Sequence, residues 1–200
     1  NKLFPNAHCK FTCGYKYSMS LSKTYRGDIM IILNTPISND DIKLLKSGEK
    51  VLISGTIYTA RDQAHLRLIK ETELPFDIDG SVIYYVGPTP KREGFSIGAS
   101  GPTSSYRMDK LAVPLMERGL RLMIGKGDRS EEFRMEMIKN NSCYLIATGG
   151  IGALLSSKIV SSELILYEDL GAEAVYKLEV KDFPCFVAYD IYGNNIFKDN

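Results

Sequence analysis

Residues 51–71, VLISGTIYTARDQAHLRLIKE, combine a strand pattern with a helix pattern, and this succession decides the fold. Residues 51–58 are rich in the β-branched side chains that favour strands, and Gly55 among them is typical of a bulge. From residue 60 onward, apolar side chains recur at the spacing of one helical face: Ala60, Ala64 and Leu68. A strand that runs almost directly into a helix is a basic unit of α/β domains.

The alternation of strands and helices continues on both sides of this stretch. Residues 29–33 predict a buried strand, and Ser38 with Asp41 gives a capping signature for a helix that Gly48 closes. Further strands are predicted at residues 82–86, 122–124, 143–147, 163–167, 175–180 and 185–191, and further helices near residues 108, 130 and 152. The sequence therefore predicts an α/β domain with a mixed sheet flanked by helices.

Composition and charge exclude several classes of protein. The chain has 200 residues, of which 44% are hydrophobic, which is enough for one domain with a sizeable core. Its 25 basic and 24 acidic residues leave a net charge of +1, so no global field attracts nucleic acid or an anionic membrane. The apolar runs are far shorter than the roughly 20 residues that cross a bilayer. We expect a soluble protein with neither nucleic-acid nor membrane partners.

The four cysteines are too dispersed for a disulfide scaffold. Cys9 and Cys13 lie near His8 and have the spacing of a metal site, but no second pair completes it, which favours plain thiols. Cys143 and Cys185 open apolar strands and are predicted to be small buried hydrophobes. These features indicate a reducing compartment, so we expect a cytoplasmic location, or a mitochondrial one in a eukaryotic source.

Residues 1–27 contain no Asp or Glu and are basic. We interpret them as an N-terminal extension that lies on a partner, ahead of a regularly patterned domain over residues 28–200. A transit peptide is the alternative, but a single arginine, Arg26, is a poor count for one.

A hydroxyl-rich turn is the first segment suited to chemistry. Residues 101–107, GPTSSYR, here called the hydroxyl loop, lead directly into a helix pattern. Backbone N–H groups at a helix N-terminus attract anions, Arg107 can pair with a carboxylate, and Thr103 offers a hydroxyl. The alternative is an ordinary helix-capping turn.

Two further segments place cations at strand-to-helix junctions. Arg61 and His65 share a face of the helix that follows residue 58, although Arg61 could equally pair with a surface acid while His65 plays no chemical part. Residues 124–130, IGKGDRS, here called the lysine loop, hold Lys126 between two glycines that let a ligand approach the backbone. The loop lacks the spacing of a Walker motif, so it does not indicate nucleotide binding.

Strand-to-helix junctions in α/β sheets tend to gather at one edge, where ligands bind. Three cations and a threonine at that edge suit a small dicarboxylate. No catalytic triad spacing and no metal-ligand cluster is recognisable, which predicts that part of the active site lies elsewhere.

Several separated motifs carry a resemblance to a known family. Together they are similar to the β subunit, or C-terminal domain, of class I iron–sulfur fumarate hydratases and of the related L(+)-tartrate dehydratases. The matching segments are TARDQAH at 59–65, GPTSSYRMD at 101–109, IGKG at 124–127, LGAEAVYKLEVKDFP at 170–184 and YGNNIF at 192–197.

The resemblance covers residues 28–197 and implies a swivelling β/β/α domain. It implies a hydro-lyase that reversibly hydrates fumarate to (S)-malate, active only with an α subunit or N-terminal domain in a homo- or hetero-oligomer. That α part would hold a 4Fe–4S cluster, and none of the four cysteines here matches its ligands. Thr103 resembles the family's proposed base, and Arg61, Arg107 and Lys126 resemble its carboxylate-binding residues.

Two alternatives remain open. One is an L(+)-tartrate dehydratase β subunit, although Ala60 and Ala64 stand where cysteines would be expected in tartrate enzymes, which favours fumarate. The other is a non-catalytic module that binds a carboxylate without turning it over.

Overall fold

The computed structural model describes residues 21–25, 28–89, 97–147 and 152–197. The strands in this part of the chain are β1 Leu21–Tyr25, β2 Asp28–Asn34, β3 Lys50–Thr59, β4 Val82–Tyr84, β5 Leu122–Gly125, β6 Cys143–Ile146, β7 Ile159–Leu166 and β8 Val175–Tyr189. The α-helices are α1 Asn39–Leu44, α2 Asp62–Leu68, α3 Asp109–Glu117, α4 Glu131–Lys139 and α5 Gly152–Ser157. Short 3₁₀ segments cover Tyr106–Met108 and Glu168–Glu173. None of the described helices is long and apolar enough to cross a bilayer.

The strands form one mixed sheet in the order β1-β2-β3-β4-β5-β6-β8-β7, with β8 also paired to β3. Strands β2 to β6 are parallel and lie in chain order. Strand β1 is antiparallel to β2, and β8 is antiparallel to β3, β6 and β7. The predicted α/β class with a mixed sheet is therefore confirmed. The carboxyl ends of β2 to β6 all meet at one edge.

The sheet separates two apolar cores, because successive side chains of a strand point to opposite faces. In β4 and the residue after it, Val82 and Tyr84 belong to one core and Ile83 and Tyr85 to the other. Helices α2, α3 and α4 cover the second core, to which they contribute buried apolar side chains. Buried residues of α1 and α5 belong to the first core.

The helix boundaries follow local signals that the sequence contains. Ser38 and Asp41 form the predicted capping box at the start of α1. Ser130 caps α4 by accepting a hydrogen bond from the backbone N–H of Phe133 at 3.2 Å. Gly55, predicted as a bulge, lies at a register shift between β3 and β8. The two helix caps need no distant contact to be specified, whereas the bulge at Gly55 also depends on pairing with β8.

The prediction of two strands over residues 175–180 and 185–191 is wrong, because β8 runs unbroken from Val175 to Tyr189. Asp182, within the presumed gap, takes a positive φ of 50°. Pro184 pairs opposite Leu52 of β3 in the antiparallel ladder. Proline is tolerated in a strand where its missing N–H is not needed, so the Asp-Phe-Pro signal did not end the strand.

The sheet reaches into the segment predicted as an extension. Residues 21–25 form β1 and pair with residues 28–32 of β2. His8, Cys9 and Cys13 lie outside the described residues, and the predicted partner-binding role of the basic segment stays a prediction.

A Schellman motif ends α3 and makes Gly119 a sensitive position. The N–H of Leu120 donates to the C=O of Leu115, and that of Gly119 to Met116, while Gly119 takes a φ of +104°. A Cβ at Gly119 would lie 2.8 Å from Cα of Asp79.

We expect Gly119→Ala to lower the free energy of unfolding by roughly 3 kcal/mol, because strain at positive φ adds to a backbone clash. Gly48→Ala is the matched control. Gly48 also has a positive φ, +91°, but its Cβ would meet only a methyl carbon of Ile196 at 4.0 Å. Its cost should be the strain alone, roughly 1 kcal/mol. Urea unfolding of both variants measures the difference, and equal costs would contradict the clash.

Candidate functional site

The register of three parallel strands brings the predicted site residues to one edge of the sheet. Thr59 of β3 pairs with Tyr84 of β4, which pairs with Ile124 of β5. Arg61 follows two residues after Thr59, and Lys126 two residues after Ile124. The hydroxyl loop lies at the same edge.

Backbone contacts attach the hydroxyl loop to this edge. The N–H of Thr103 donates to the C=O of Tyr85 at 2.8 Å. Ser104 forms a parallel bridge with Lys126, and the N–H of Ser105 donates to the C=O of Lys126 at 3.1 Å. The hydroxyl loop and the lysine loop are therefore joined.

Arg107 links the Thr103 hydroxyl to a carboxylate. Its Nη2 donates to Thr103 Oγ1 at 3.2 Å, and its Nη1 lies 2.8 Å from Asp62 Oδ2. A guanidinium that donates to an alcohol oxygen stabilises negative charge on that oxygen. Asp62 was not among the predicted site residues. Its position next to Arg61 in the first turn of α2 was the available signal.

Arg61 lies over Gly87 and pairs with Glu173. Its Nη2 is 3.0 Å from Glu173 Oε1, and both side chains are 24% exposed. A Cβ at Gly87 would lie 2.7 Å from Arg61 Nη1, so the glycine leaves room for the guanidinium. The predicted alternative of an acidic partner for Arg61 is thus observed, at the same edge that carries Thr103. Nothing local in the sequence marked Glu173.

Lys126 is exposed at the start of a tightly packed turn. Its N–H donates to Ser105 Oγ at 3.1 Å. A Cβ at Gly125 would lie 1.9 Å from Ser105 Oγ, so glycine is required there for the two loops to meet. Gly127 has a φ of +79°, which favours glycine for conformational reasons. The Gly-Lys-Gly sequence thus fixes the backbone and leaves the ammonium exposed.

His65 supports Arg61 from inside the protein. It is fully buried, and its Nδ1 lies 2.9 Å from the C=O of Arg61. Burial lowers the pKa of His65 to about 4, so the imidazole is neutral near pH 7 and donates through Nδ1. Its Nε2 has no hydrogen-bond partner among the described residues. His65 therefore holds the backbone of Arg61 and does not face a ligand.

The cysteines in the described part of the chain do not fit an iron–sulfur cluster. Cys143 and Cys185 are buried in the first core. Burial raises the pKa of Cys143 to about 12 and that of Cys185 further still, which disfavours the thiolates that bind iron. Among the described residues, no group of three or more His, Cys, Asp or Glu side chains is arranged to hold a metal ion.

Comparison with known proteins matches the chain to one family. The family described as Fumarase C-terminus matches residues 13–200. The chain belongs to this family. The family therefore includes the basic residues from 13 onward, and the motifs that carry the sequence resemblance lie within the matched region.

Members of the fumarase C-terminus family similar to this chain carry two kinds of name. The putative L(+)-tartrate dehydratase subunit beta of Methanocaldococcus jannaschii is 35% identical over 173 residues, covering 82% of this chain and 89% of the relative. The aerobic class I fumarate hydratase of Escherichia coli K12 is 37% identical over 187 residues, covering 89% of this chain and 34% of the relative. The L(+)-tartrate dehydratase subunit beta of the same strain is 30% identical over 175 residues, covering 84% and 87%.

These relatives are hydro-lyases, as their names state. The chain spans about a third of the fumarate hydratase and most of each tartrate dehydratase β subunit. Names of β subunits and a match to a C-terminus imply an α or N-terminal partner.

Burial of neutral His65 predicts a loss of stability in weak acid. The pKa of His65 is lowered on folding from 6.5 to about 4. The unfolded chain therefore binds the extra proton first, and stability falls as the pH drops below about 6.5 until the folded pKa is reached. Between pH 7 and pH 5 we expect a loss of roughly 2 kcal/mol from this group.

Urea unfolding at pH 7, 6 and 5 measures this loss. His65→Gln is the control, because glutamine does not titrate and should flatten the pH dependence by the same amount, whatever its own stability. An equally steep slope in His65→Gln would assign the loss to other groups.

Proposed function

We propose that the chain is the β subunit, or C-terminal part, of a class I fumarate hydratase, which reversibly hydrates fumarate to (S)-malate. The observation that carries this proposal is the hydrogen bond from Arg107 to Thr103 Oγ1 at the sheet edge that also carries Arg61 and Lys126. A hydro-lyase needs a base for a carbon-bound proton and cations for the two carboxylates of its substrate.

Thr103 is the proposed base. In the direction from malate, its oxygen takes the proton from the carbon next to the one that bears the hydroxyl. A threonine hydroxyl is a weak base, and the guanidinium of Arg107, 3.2 Å away, makes its deprotonated form more accessible by donating to the oxygen.

Arg61 and Lys126 are proposed to bind substrate carboxylates on the two sides of Thr103. Strand β4, whose end holds the hydroxyl loop, lies between β3 and β5. Arg61 follows β3 and Lys126 follows β5, so the sheet order puts one cation on each side of the loop. Positioned charges of this kind stabilise the extra negative charge of the intermediate without reorganisation.

The rest of the active site is proposed to come from the α part, which would bring a 4Fe–4S cluster. The chain spans only about a third of the class I fumarate hydratases it resembles, which supports a shared site. His65, the histidine in the described residues, is buried and neutral, so it supplies no second acid or base. The cytoplasmic location expected from the cysteines stays a prediction.

L(+)-tartrate dehydratase is the second candidate. The M. jannaschii relative of that name matches this chain over 89% of its own length. Ala60 and Ala64, which favoured fumarate in the sequence, are fully buried against the second core. They therefore contact no substrate directly, so the choice between the two substrates rests on measured turnover.

The activity test uses this chain co-expressed with an iron–sulfur α part and kept free of oxygen. We expect turnover of malate to exceed that of L(+)-tartrate. We expect Thr103→Ala to lower kcat on malate by roughly 10²- to 10⁴-fold, because the proton acceptor is lost. Thr103→Ser retains the hydroxyl and should keep most of the activity.

The outcomes separate the alternatives. Faster turnover of tartrate would favour the second candidate, and a wild-type rate in Thr103→Ala would remove Thr103 as the base. If the complex turns over neither acid and the isolated chain binds malate tightly in calorimetry, the chain is a binding module.

Asp62 provides an independent prediction. Its carboxylate pairs with Arg107 at 2.8 Å, so Asp62→Asn should free the guanidinium and lower kcat/KM on malate by roughly tenfold or more. Asp169→Asn is the matched control, since it breaks the exposed pair with Arg67, which includes none of the proposed site residues. Tighter malate binding with unchanged kcat in Asp62→Asn would mean that Asp62 competes with substrate and does not orient Arg107.

A further inference from the structure

A buried ion pair joins the lysine loop to the start of α3, which follows the hydroxyl loop. The side chain of Arg129 is fully buried, and its Nε donates to Asp109 Oδ1 at 2.5 Å. The second carboxylate oxygen of Asp109 accepts the backbone N–H of Ser130 at 2.8 Å. Asp109 opens α3 and Ser130 caps α4, so one carboxylate joins the starts of two helices.

Three aromatic rings enclose the guanidinium of Arg129. Its central carbon lies 3.5 Å from the ring centroid of Phe133, 4.8 Å from that of Tyr144 and 5.4 Å from that of Tyr85. Neither terminal nitrogen has a hydrogen-bond partner among the described residues. The ring faces therefore provide the attraction that oxygen acceptors would otherwise give.

Two of these aromatic residues contact the loops of the candidate site, Tyr144 through its side chain and Tyr85 through its backbone. The hydroxyl of Tyr144 lies 2.9 Å from Ser105 Oγ and 3.1 Å from the C=O of Gly127. The C=O of Tyr85 accepts the N–H of Thr103. Because the Tyr144 hydroxyl contacts both loops, a displacement of the Arg129 guanidinium against the Tyr144 ring would change the support of both.

We propose that Asp109 and Arg129 are positioning residues that keep the hydroxyl loop and the lysine loop in register, so that Thr103, Arg107 and Lys126 address one substrate. Asp109 lies two residues after Arg107, and Arg129 three residues after Lys126. The ion pair thus joins the lysine loop to the residues that directly follow the hydroxyl loop, close in sequence to the cations of both loops. This inference rests on the proposed function and adds two residues to it that do not touch substrate.

Stability alone does not account for the pair. Removing two charges from water costs about as much as their attraction returns, so a buried ion pair is a weak source of stability. The pair instead restricts the geometry of the residues around it. A planar guanidinium enclosed by aromatic rings and bound to a carboxylate that accepts two hydrogen bonds can take few positions.

The test is a double-mutant cycle in the complex with the α part. Arg129→Lys keeps the charge but loses the planar fork. We expect kcat/KM on malate to fall by about 30-fold, and part of this fall should be a lower kcat. Because Arg129 also supports the hydroxyl loop, adding Arg129→Lys to Lys126→Ala should still lower kcat/KM, but by about tenfold and not by the full 30-fold. Full additivity would overturn the proposal, because a merely structural role does not depend on Lys126.

Arg67→Lys is the matched control. It makes the same chemical change in the exposed pair with Asp169 and should leave kcat and KM at the wild-type values. If Arg129→Lys does not fold, Phe133→Leu removes the ring beneath the guanidinium while the ion pair remains, and it should show the same lack of additivity with Lys126→Ala.

Hydrogen exchange in the same complex separates this inference from the proposed function. The amides of Ser105 and Lys126 should exchange at least tenfold faster in Arg129→Lys, while those of β2 keep their wild-type rates. If the wild-type complex hydrates no fumarate, the proposed function fails. Faster exchange in Arg129→Lys that is confined to the two loops would still support the inference that the ion pair holds them together. Unchanged exchange at both amides would overturn it.

Discussion

The parallel pairing of β3, β4 and β5 is the constraint on which the candidate site depends. Its register puts Thr59, Tyr84 and Ile124 side by side, so the next few residues of each strand enter the same space. A slip of one residue in either pairing would turn the following side chain to the opposite face. All residues of β4 are apolar and buried, so the close packing of its particular side chains in the two cores opposes that slip. Burial of the core thus determines where the cations lie.

Cations gathered at one edge repel each other, and the structure counters this with acids from its own chain. Asp62 pairs with Arg107, and Glu173 pairs with Arg61, while Lys126 stays exposed. Arg107 pairs with Asp62 through Nη1 and still donates to Thr103 through Nη2. The acids lower the cost of assembling the edge without cancelling the field that an anionic substrate meets.

The sequence predicted those features that depend on neighbours in the chain. Ser38 and Asp41 act within a helical turn, and their capping role follows from residue type and spacing. The common edge of Arg61, Arg107 and Lys126 also followed, because strand-to-helix junctions obey a general rule of α/β sheets. Glu173 and the continuity of β8 depend on contacts between distant segments, which periodicity does not encode. The pairing of Asp109 with Arg129 is of the same kind.

The two loops approach each other so closely because backbone replaces side chain at the points of contact. Gly125 admits the hydroxyl of Ser105, and Gly87 admits the guanidinium of Arg61. A Cβ at Gly152 would likewise lie 3.1 Å from the backbone nitrogen of Gly101, at the foot of the hydroxyl loop. Each glycine forgoes the apolar burial of a side chain and costs conformational entropy on folding, so these positions do not favour stability. They allow close contact between the hydroxyl loop, which carries Thr103 and Arg107, and the lysine loop, which carries Lys126. The glycines of this edge are therefore best explained by the geometry of the site, whereas those at helix ends are explained by the chain's need to turn.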